Sequence, residues 1–207
     1  MHKHSRFWNR LAAKYAKSPI EDEGAYEKKI AQTQKHFTPQ ASVLELGCGT
    51  GSTAIIHAPF VRHIQTVDFS ARMLEIAKER ARQAGVSNIS FTESGIDEFE
   101  APKDSFDVVM AMSVLHLLPD RTTAIAKIYA MLKPGGVFIS STHCLGNKMK
   151  FLKIVAPVAG IFGLLPVLRV FTVQELASSI TDAGFAIENQ WQPADNKAVF
   201  VVARKAG

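Results

Sequence analysis

Short apolar runs alternate with segments of helical spacing through most of the chain. The apolar runs predict seven strands, at residues 43–46, 64–67, 89–91, 106–112, 137–141, 185–190 and 199–203. Between them, apolar spacing and capping residues predict helices at 52–58, 71–84, from Pro119-Asp120 onward and at 172–184. Strands that alternate with helices in this way require a mainly parallel sheet with helices on both faces.

Two further helices precede the first strand. The first has an apolar stripe at i, i+3, i+4 and i+7, formed by Trp8, Leu11, Ala12 and Tyr15. Pro19 ends this helix, and a second one is predicted at 23–35. A tyrosine on such a stripe is ordinarily a core residue, so the stripe alone gives Tyr15 no further role.

The connections between the strands indicate their directions. Pro134-Gly135-Gly136 predicts a turn that leads into the fifth strand. Only seven residues, 191–197, join the last two strands, which is too few for a crossover helix. The last strand should therefore run antiparallel to its neighbour, as one half of a hairpin.

Length and composition predict a single globular domain over residues 1–207. Apolar residues make up 47% of the chain and charged residues 21%, which excludes a disordered protein. The two cysteines, Cys48 and Cys144, cannot form a disulfide framework. The first fifteen residues lack the apolar core of a signal peptide. We therefore expect a cytoplasmic protein.

The net charge of +5 comes from the N-terminal segment. Residues 1–20 contain no acidic residue, and their basic residues are Lys3, Arg6, Arg10, Lys14 and Lys17. The rest of the chain is electrically balanced, which argues against a nucleic-acid-binding face. A solvated helix face is the ordinary interpretation of this cluster, while an anionic substrate or a membrane surface stays open.

Residues 147–171 interrupt the strand and helix pattern with an apolar insertion. The fifteen residues 154–168 carry no charge and include two prolines and two glycines. A membrane-spanning helix needs about 20 apolar residues, so this run does not predict one. It follows the fifth strand, where it could be a lid or pocket wall over the carboxyl edge of the sheet. Core packing, a homodimer contact and docking on a membrane surface are the alternatives.

The first predicted strand runs into a glycine cluster, Gly47-Cys48-Gly49-Thr50-Gly51, and then into a helix. Glycine permits a tight turn and close approach to a ligand, and the helix N-terminus offers unpaired N–H groups. Asp68 ends the second strand, where a carboxylate can accept hydrogen bonds from both ribose hydroxyls of a nucleoside. This order of elements predicts a nucleoside site.

The type of nucleoside follows from charge and glycine spacing. A dinucleotide fold expects G-x-G-x-x-G, whereas this chain has G-x-G-x-G. Glu45 stands two residues before the first glycine, where it would repel a pyrophosphate but could orient an ammonium group through water. S-adenosylmethionine combines an adenosine, an ammonium group and no phosphate, so the pattern favours it as cofactor over a nicotinamide dinucleotide.

The chain resembles a class I S-adenosylmethionine-dependent methyltransferase, of the small-molecule group that includes the ubiquinone- and menaquinone-biosynthesis types. Four segments carry the resemblance: VLELGCGTG at 43–51, TVDFS at 66–70, SFDVVMAMSVLHLLPD at 105–120 and LKPGG at 132–136. It implies a Rossmann-like three-layer sandwich whose seven-stranded, mostly parallel sheet has an antiparallel last strand. The activity it implies is methyl transfer to a small, partly apolar molecule such as a quinone precursor or a lipid.

The resemblance also implies the cofactor-binding residues. Those implied near the methionine part are Glu45, Gly47, Cys48, Gly49, Met112 and Ser113, with Gly51 completing the glycine turn. Asp68 would bind the ribose, and Phe69 and Met73 would lie near the adenine. Tyr15 resembles a tyrosine of the N-terminal helix that can reach over the cofactor.

One position departs from the family pattern. Related enzymes often carry an Asp after the third strand that accepts a hydrogen bond from the adenine amino group, but Gly95 stands there in this chain. Adenine recognition would then depend on the backbone N–H of Ile96 and on apolar contacts, or on Asp97. The departure affects the adenine contacts and leaves the class unchanged.

His116 and His143 are the candidate catalytic residues. They follow the fourth and fifth predicted strands, whose carboxyl ends border the pocket expected in an open α/β sheet. A histidine there could remove a proton from the methyl acceptor or orient it, although a structural histidine is the ordinary alternative. No metal is expected: His2 and His4 could be a disordered chelating pair, and the other histidines have no metal-ligand spacing.

Two other functions remain open from the sequence. A non-catalytic S-adenosylmethionine-binding module in a complex would have the same motifs, and a nicotinamide-dependent oxidoreductase is disfavoured only by glycine spacing and Glu45. The sequence also disfavours an enzyme that methylates amino groups of nucleic acids. Such enzymes usually have an Asn/Asp-Pro-Pro-aromatic run after the fourth strand, and this chain has Met112-Ser113-Val114-Leu115 there. The acceptor atom is left undetermined.

Overall fold

The computed structural model describes residues 5–144, 146 and 169–207. Most of the predicted apolar insertion, residues 147–168, therefore lies outside the described residues. The chain divides into two compact units, one formed by residues up to 100 with 106–110 and the other by 101–105 with 111–207. The two units are described in turn, and the assignment of 1–207 to a single domain stays a prediction.

The first unit contains four helices and most of four strands. In chain order they are α1 (Ser5–Ala16), α2 (Glu23–Gln34), β1 (Ser42–Leu46), α3 (Ser52–His57), β2 (His63–Asp68), α4 (Ala71–Gln83), β3 (Ile89–Glu93) and the first five residues of β4 (Phe106–Met112). Strand β1 pairs in parallel with β2 and with β4, and β2 pairs in parallel with β3. Every predicted element of this unit is therefore present, with bounds that differ by at most two residues.

The described residues of the second unit form two helices and three strands beyond the end of β4. They are α5 (Arg121–Met131), β5 (Leu132–Thr142), α6 (Val173–Asp182), β6 (Phe185–Trp191) and β7 (Val199–Lys205). Strand β7 runs antiparallel to both β5 and β6. The predicted closing hairpin is thus confirmed, and β7 also inserts between β5 and β6.

The seven strands form one sheet in the order β3-β2-β1-β4-β5-β7-β6. Its inner strands are apolar on both faces: Val43, Leu44 and Leu46 of β1 are buried, and so is every residue of β4 except Asp107 and Met112. Strands buried on both faces are typical of a sheet covered by helices on each side. The predicted fold class is confirmed.

Side-chain caps begin three of the helices. The Ser70 hydroxyl accepts a hydrogen bond from the N–H of Met73 at the start of α4, and the Asp120 carboxylate accepts from the first turn of α5. Thr172 and Glu175 form a reciprocal capping box on α6. Each cap satisfies N–H groups that have no partner within the helix.

The predicted turn at Pro134-Gly135-Gly136 is wrong, because these residues lie inside β5. The paired register with β7 begins only at Val137, so Pro134 has no ladder bond with β7 to lose. Gly135 takes a left-handed backbone conformation, and its carbonyl oxygen accepts a 2.8 Å hydrogen bond from Arg204. The glycine therefore produces an irregularity in a strand that starts five residues earlier than predicted.

In the part of the chain that the structure describes, no helix has the length and apolar character needed to cross a membrane.

Candidate functional site

The glycine turn of the first unit is attached to the end of β2. The N–H groups of Gly47 and Cys48 both donate to the carbonyl oxygen of Val67, at 2.7 and 3.1 Å. These bonds continue the pairing of β1 and β2 by two residues beyond the last strand position. The turn and Asp68, which follows Val67, are therefore held side by side.

Both oxygens of the Asp68 carboxylate accept backbone hydrogen bonds. Oδ2 accepts from the N–H of Gly49 and Oδ1 from the N–H of Ser70, each at 2.9 Å. Burial raises the pKa of Asp68, and the two N–H donors oppose that rise. A carboxylate oxygen can accept more than one hydrogen bond, so this fixed group can still receive two ligand hydroxyls.

The second and third glycines of the turn serve different purposes. A Cβ on Gly49 would meet only Cε1 of Tyr15, at 3.8 Å, so this glycine leaves open space above the turn. A Cβ on Gly51 would lie 2.9 Å from the Cβ of Ala77, so this glycine permits α3 to begin against α4. Both residues have a positive φ that other residues rarely adopt.

Glu45 is a buried carboxyl group with only 2% of its surface exposed. Its Oε2 atom has no hydrogen-bond partner among the described residues, while Thr53 and Ala54 of α3 hydrogen-bond to the group. Burial, together with the nearby Asp68 carboxylate, raises the pKa of Glu45 to about 8. A cation placed at Oε2 would lower that pKa, so the geometry suits a ligand with an ammonium group.

Tyr15 of α1 lies over the glycine turn. Its Cε1 atom borders the open space where a Cβ on Gly49 would lie. The ring packs edge-on against Trp8 with 6.3 Å between ring centroids, and the residue is 47% exposed. Burial and the carboxylates of Asp68 and Glu45 raise its pKa. The same effects of burial and Glu45 raise the pKa of Tyr26 on α2. Sequence reasoning missed Tyr26, because a single tyrosine on a polar helix gives no signal.

Helix α1 is held on α4 by two polar contacts that sequence reasoning also missed. Near its start, Oδ1 of Asn9 accepts hydrogen bonds from the Ser70 hydroxyl at 2.6 Å and from the Arg72 N–H at 3.2 Å. At its end, Arg80 donates to the carbonyl oxygen of Ala16 at 2.5 Å, and also to the hydroxyl of Thr50 at 2.9 Å. Arg80 thus connects α1 with the glycine turn.

The residues predicted near an adenine lie after β2 and β3. Met73 is buried on the first turn of α4 and Phe69 is half-buried. Gly95 and Ile96 are buried in the turn after β3, where Ser94 donates its N–H to the Asp68 carbonyl oxygen at 3.1 Å. That bond places this turn beside Asp68. Asp97 is exposed.

Cys48 is not suited to act as a nucleophile. The thiol is 7% exposed, and burial, followed by the carboxylates of Glu45 and Asp68, raises its pKa well above its usual value. A neutral buried thiol behaves as a small apolar group. Its contribution to the turn is therefore packing and its backbone N–H.

Met112, Ser113, His116 and His143 belong to the second unit. Ser113 has a positive φ of 56°, and its N–H donates to the carbonyl oxygen of Ser141 at 2.7 Å. The rings of His116 and His143 pack edge to face with 5.4 Å between their centroids. The structure thus brings together the two histidines that the sequence placed after different strands.

His116 is a neutral buried histidine. It is 8% exposed, and burial, with His143 beside it, lowers its pKa to about 4. Its Nδ1 has no hydrogen-bond partner among the described residues. Its carbonyl oxygen accepts a 2.8 Å hydrogen bond from the N–H of Arg169. Such an imidazole can accept or donate a hydrogen bond without carrying a charge.

In the first unit the structure brings eleven of the predicted cofactor residues onto the ends of β1, β2 and β3 and the adjoining helices: Tyr15, Glu45, Gly47, Cys48, Gly49, Gly51, Asp68, Phe69, Met73, Gly95 and Ile96. Carboxylates, an open glycine turn and apolar side chains are combined there. This arrangement can hold a nucleoside that carries a cationic amino acid group.

Comparisons with known proteins agree with this geometry. The family model described as "Methyltransferase domain" matches residues 37–199. An uncharacterized methyltransferase YcgJ of Bacillus subtilis is 32% identical over 101 residues, 49% of this chain and 40% of that protein. A demethylmenaquinone methyltransferase of Leptospira interrogans is 35% identical over 115 residues, 54% of this chain and 46% of that protein. The chain therefore spans less than half the length of these two relatives.

Among solved structures, the N-methyltransferase NodS from Bradyrhizobium japonicum, in complex with S-adenosyl-L-homocysteine, has a TM-score of 0.75 to this chain. The two chains cover each other completely at 19% identity. At that identity the likeness shows a shared fold.

Proposed function

This chain belongs to the methyltransferase domain family, among the class I S-adenosylmethionine-dependent methyltransferases, and from that premise we propose that it methylates a small, partly apolar metabolite. S-adenosylmethionine is its cofactor. The observation that carries the proposal furthest is the Asp68 carboxylate, which is hydrogen-bonded to Gly49 directly beside the glycine turn. The methylated acceptor and S-adenosylhomocysteine would be the products.

The residues of the first unit fit this cofactor. The free Oε2 of Glu45 is suited to the ammonium group, directly or through water, and Asp68 is suited to the two ribose hydroxyls. The open space at Gly49 would admit the methionine part, with Gly47 and Cys48 around it. Tyr15 would cover the cofactor from the side of α1.

Adenine binding would depend on apolar contacts and one backbone donor. Phe69 and Met73 would contact the ring, and the Ile96 N–H would donate to it, because Gly95 supplies no carboxylate. We also propose Met112 and Ser113 for the methionine side. Apolar contacts with one donor discriminate bases less strictly than a side-chain acceptor does.

The cofactor supplies a methyl group on a sulfonium, which is already a strong methyl donor. The protein then has to bring a nucleophilic atom of the acceptor into line with the methyl group and to exclude water. A base is needed only where the acceptor must also lose a proton.

We propose His116, with His143 beside it, as the residue that orients the acceptor or takes its proton. A neutral imidazole whose buried Nδ1 has no hydrogen-bond partner among the described residues is equipped for that role. The test compares His116→Gln and His143→Gln once a substrate is known. Loss of kcat across the whole pH range supports the role, whereas unchanged turnover in His116→Gln excludes it.

The class of acceptor is proposed from the relatives and from composition. A relative that is 35% identical is a demethylmenaquinone methyltransferase, and the chain has an apolar run at 154–168. Both favour an acceptor with an apolar part. Demethylated quinones are therefore the first acceptors to test.

Calorimetric titration tests the cofactor site. S-adenosylmethionine and S-adenosylhomocysteine should bind at micromolar concentrations, NADH should not bind, and Asp68→Ala should lose binding at least tenfold. Asp182→Ala, which removes an exposed carboxylate from α6, is the matched control. Binding of NADH, or unchanged affinity in Asp68→Ala, would contradict the assignment.

Transfer of a labelled methyl group tests the acceptor class. We expect labelled product with demethylated quinones and none with small polar amines. Transfer only to polar acceptors would refute the apolar class. Cofactor binding without transfer to any acceptor would instead favour a non-catalytic binding module. Cytoplasmic location, a homodimer and a lid role for residues 147–171 stay predictions.

A further inference from the structure

Four basic side chains lie along one face of α1 and the residue that follows it. Arg6, Arg10, Lys14 and Lys17 are all exposed and are separated by four, four and three residues. At about 100° per residue these positions fall within an arc of about 80° around the helix axis. We call these four residues the basic stripe.

The opposite face of α1 is fixed to the first unit. Ser5 and Ala12 are buried there, and Asn9 accepts hydrogen bonds from the start of α4. Arg80 binds the carbonyl oxygen at the last residue of α1. Since the helix is held at both ends, the basic stripe is directed away from α4 as a rigid row of charges.

The basic stripe has no acidic partner in the part of the chain that the structure describes. Exposed arginines of α4 differ in this respect, because Arg72 pairs with Glu75 and Arg82 pairs with Glu79. Residues 21–207 contain equal numbers of acidic and basic groups, so the rest of the chain does not neutralise the stripe. Its charge is left for an external partner.

We propose that the basic stripe of α1 binds the surface of an anionic lipid bilayer. A convex row of long cationic side chains suits a flat layer of negative headgroups, and each such residue near that layer strengthens binding by about fivefold. Ile20, which is 49% exposed, lies three residues after Lys17 and could enter the interface. A nucleic acid is less favoured, because the excess positive charge is confined to this one segment and the rest of the chain is electrically balanced.

Binding of lipid by the basic stripe needs neither cofactor nor methyl acceptor, so it is independent of the proposed function and goes beyond it. Helix α1 also carries Tyr15 over Gly49, so docking through α1 would place the glycine turn close to the layer in which an apolar acceptor dissolves.

Co-sedimentation of the full chain with vesicles tests the proposal. Vesicles of phosphatidylcholine with about one third phosphatidylglycerol should bind the protein, and vesicles of phosphatidylcholine alone should not. Arg10→Gln with Lys14→Gln should weaken binding by about 25-fold, at about fivefold per charge. Arg72→Gln with Arg82→Gln is the matched control, because it removes two exposed charges from α4 and should leave binding unchanged.

Three results would overturn the proposal. One is equal binding to neutral and anionic vesicles. Another is equal weakening by the stripe and control variants, which would indicate an effect of net charge alone. The third is failure to bind anionic vesicles while a short single-stranded RNA binds, which would assign the stripe to nucleic acid. Thermal unfolding of both double variants verifies that they remain folded.

Discussion

The carboxamide oxygen of Asn9 accepts a 2.6 Å hydrogen bond from the hydroxyl of Ser70, the residue that caps α4. Asn9 lies on the helix that carries Tyr15, and Ser70 follows Asp68 by two residues. The contact therefore joins the cover of the proposed cofactor site to its floor.

Asn9→Ala should loosen α1 without removing a cofactor contact. We expect the free energy of unfolding to fall by about 2 kcal/mol, because the variant removes the two hydrogen bonds that Asn9 accepts and each usually contributes about 1 kcal/mol. Affinity for S-adenosylhomocysteine should fall about fivefold, because Tyr15 loses its fixed position. Fluorescence of Trp8, which packs between Phe7 and Tyr15, should report the change. Gln174→Ala on the exposed face of α6 is the control, and an unchanged affinity in Asn9→Ala would contradict this account.

Gly51→Ala should destabilise the protein through two separable effects. A left-handed backbone costs a non-glycine residue about 1–2 kcal/mol, and the 2.9 Å approach to Ala77 adds a comparable steric cost. We expect a total loss of about 3 kcal/mol in urea unfolding. In the double variant Gly51→Ala/Ala77→Gly the 2.9 Å contact is removed and only the 3.3 Å approach to the Cα of residue 77 is left, so the two single effects should not add. Additive effects would show that the close approach is not the cause.

Glu45 should make stability fall as pH rises. Its pKa is about 8 in the folded protein and about 4.5 in the unfolded chain, so the folded state holds the proton more tightly. The contribution of Glu45 to the free energy of unfolding is fully present below pH 4.5 and is lost as the pH rises to 8. Urea unfolding between pH 5 and 8 should therefore show a smaller decline in Glu45→Gln than in the parent protein, and identical slopes would refute the prediction.

The same group should couple cofactor binding to proton release. A bound ammonium group favours the ionised form of Glu45, so binding at pH 7 should release up to one proton. Calorimetry in two buffers that differ in ionisation enthalpy measures this release. Glu45→Gln should bind S-adenosylmethionine more weakly and release fewer protons on binding. Equal release by both proteins would exclude Glu45 as its source.

His57 should limit stability in acid. It is fully buried, and burial lowers its pKa from 6.5 to about 4, so its contribution is complete above pH 6.5 and is lost toward pH 4. Neither ring nitrogen has a hydrogen-bond partner among the described residues. His57→Leu should therefore flatten the acid loss and keep or raise stability at pH 7. His63→Leu, which removes a ring hydrogen-bonded to Ser90, should destabilise instead, and the same loss in both variants would contradict the argument.

The fold could be predicted because its elements leave strong local patterns. Strand β4 was predicted with its observed bounds, since an almost wholly apolar run is typical of a strand covered on both faces. The caps at Ser70 and Thr172 depend on residues within three positions of each other, so they are readable from the sequence. Pro134 and Gly135 gave a false turn because the register with the partner strand, which permits them, is a tertiary property.

Only two parts of the candidate site could be predicted from the sequence: the glycine turn after β1 and the carboxylate at the end of β2. Gly49 and Asp68 were identified together because their spacing repeats a known order of elements. The contacts that hold α1 could not be predicted, because Asn9 and Ser70 are 61 residues apart and Ala16 and Arg80 are 64 apart. No local pattern connects such pairs.

Strand β7 determines the order in which the second unit can be completed. It lies between β5 and β6, yet both of those strands precede it in the chain. During synthesis β6 leaves the ribosome before β7, its neighbour in the sheet, exists, and the edge of β5 that β7 later covers stays open for the same interval. Exposed edges of this kind can pair with other chains. We therefore expect ribosome-bound chains that end before residue 199 to be the species most prone to aggregation.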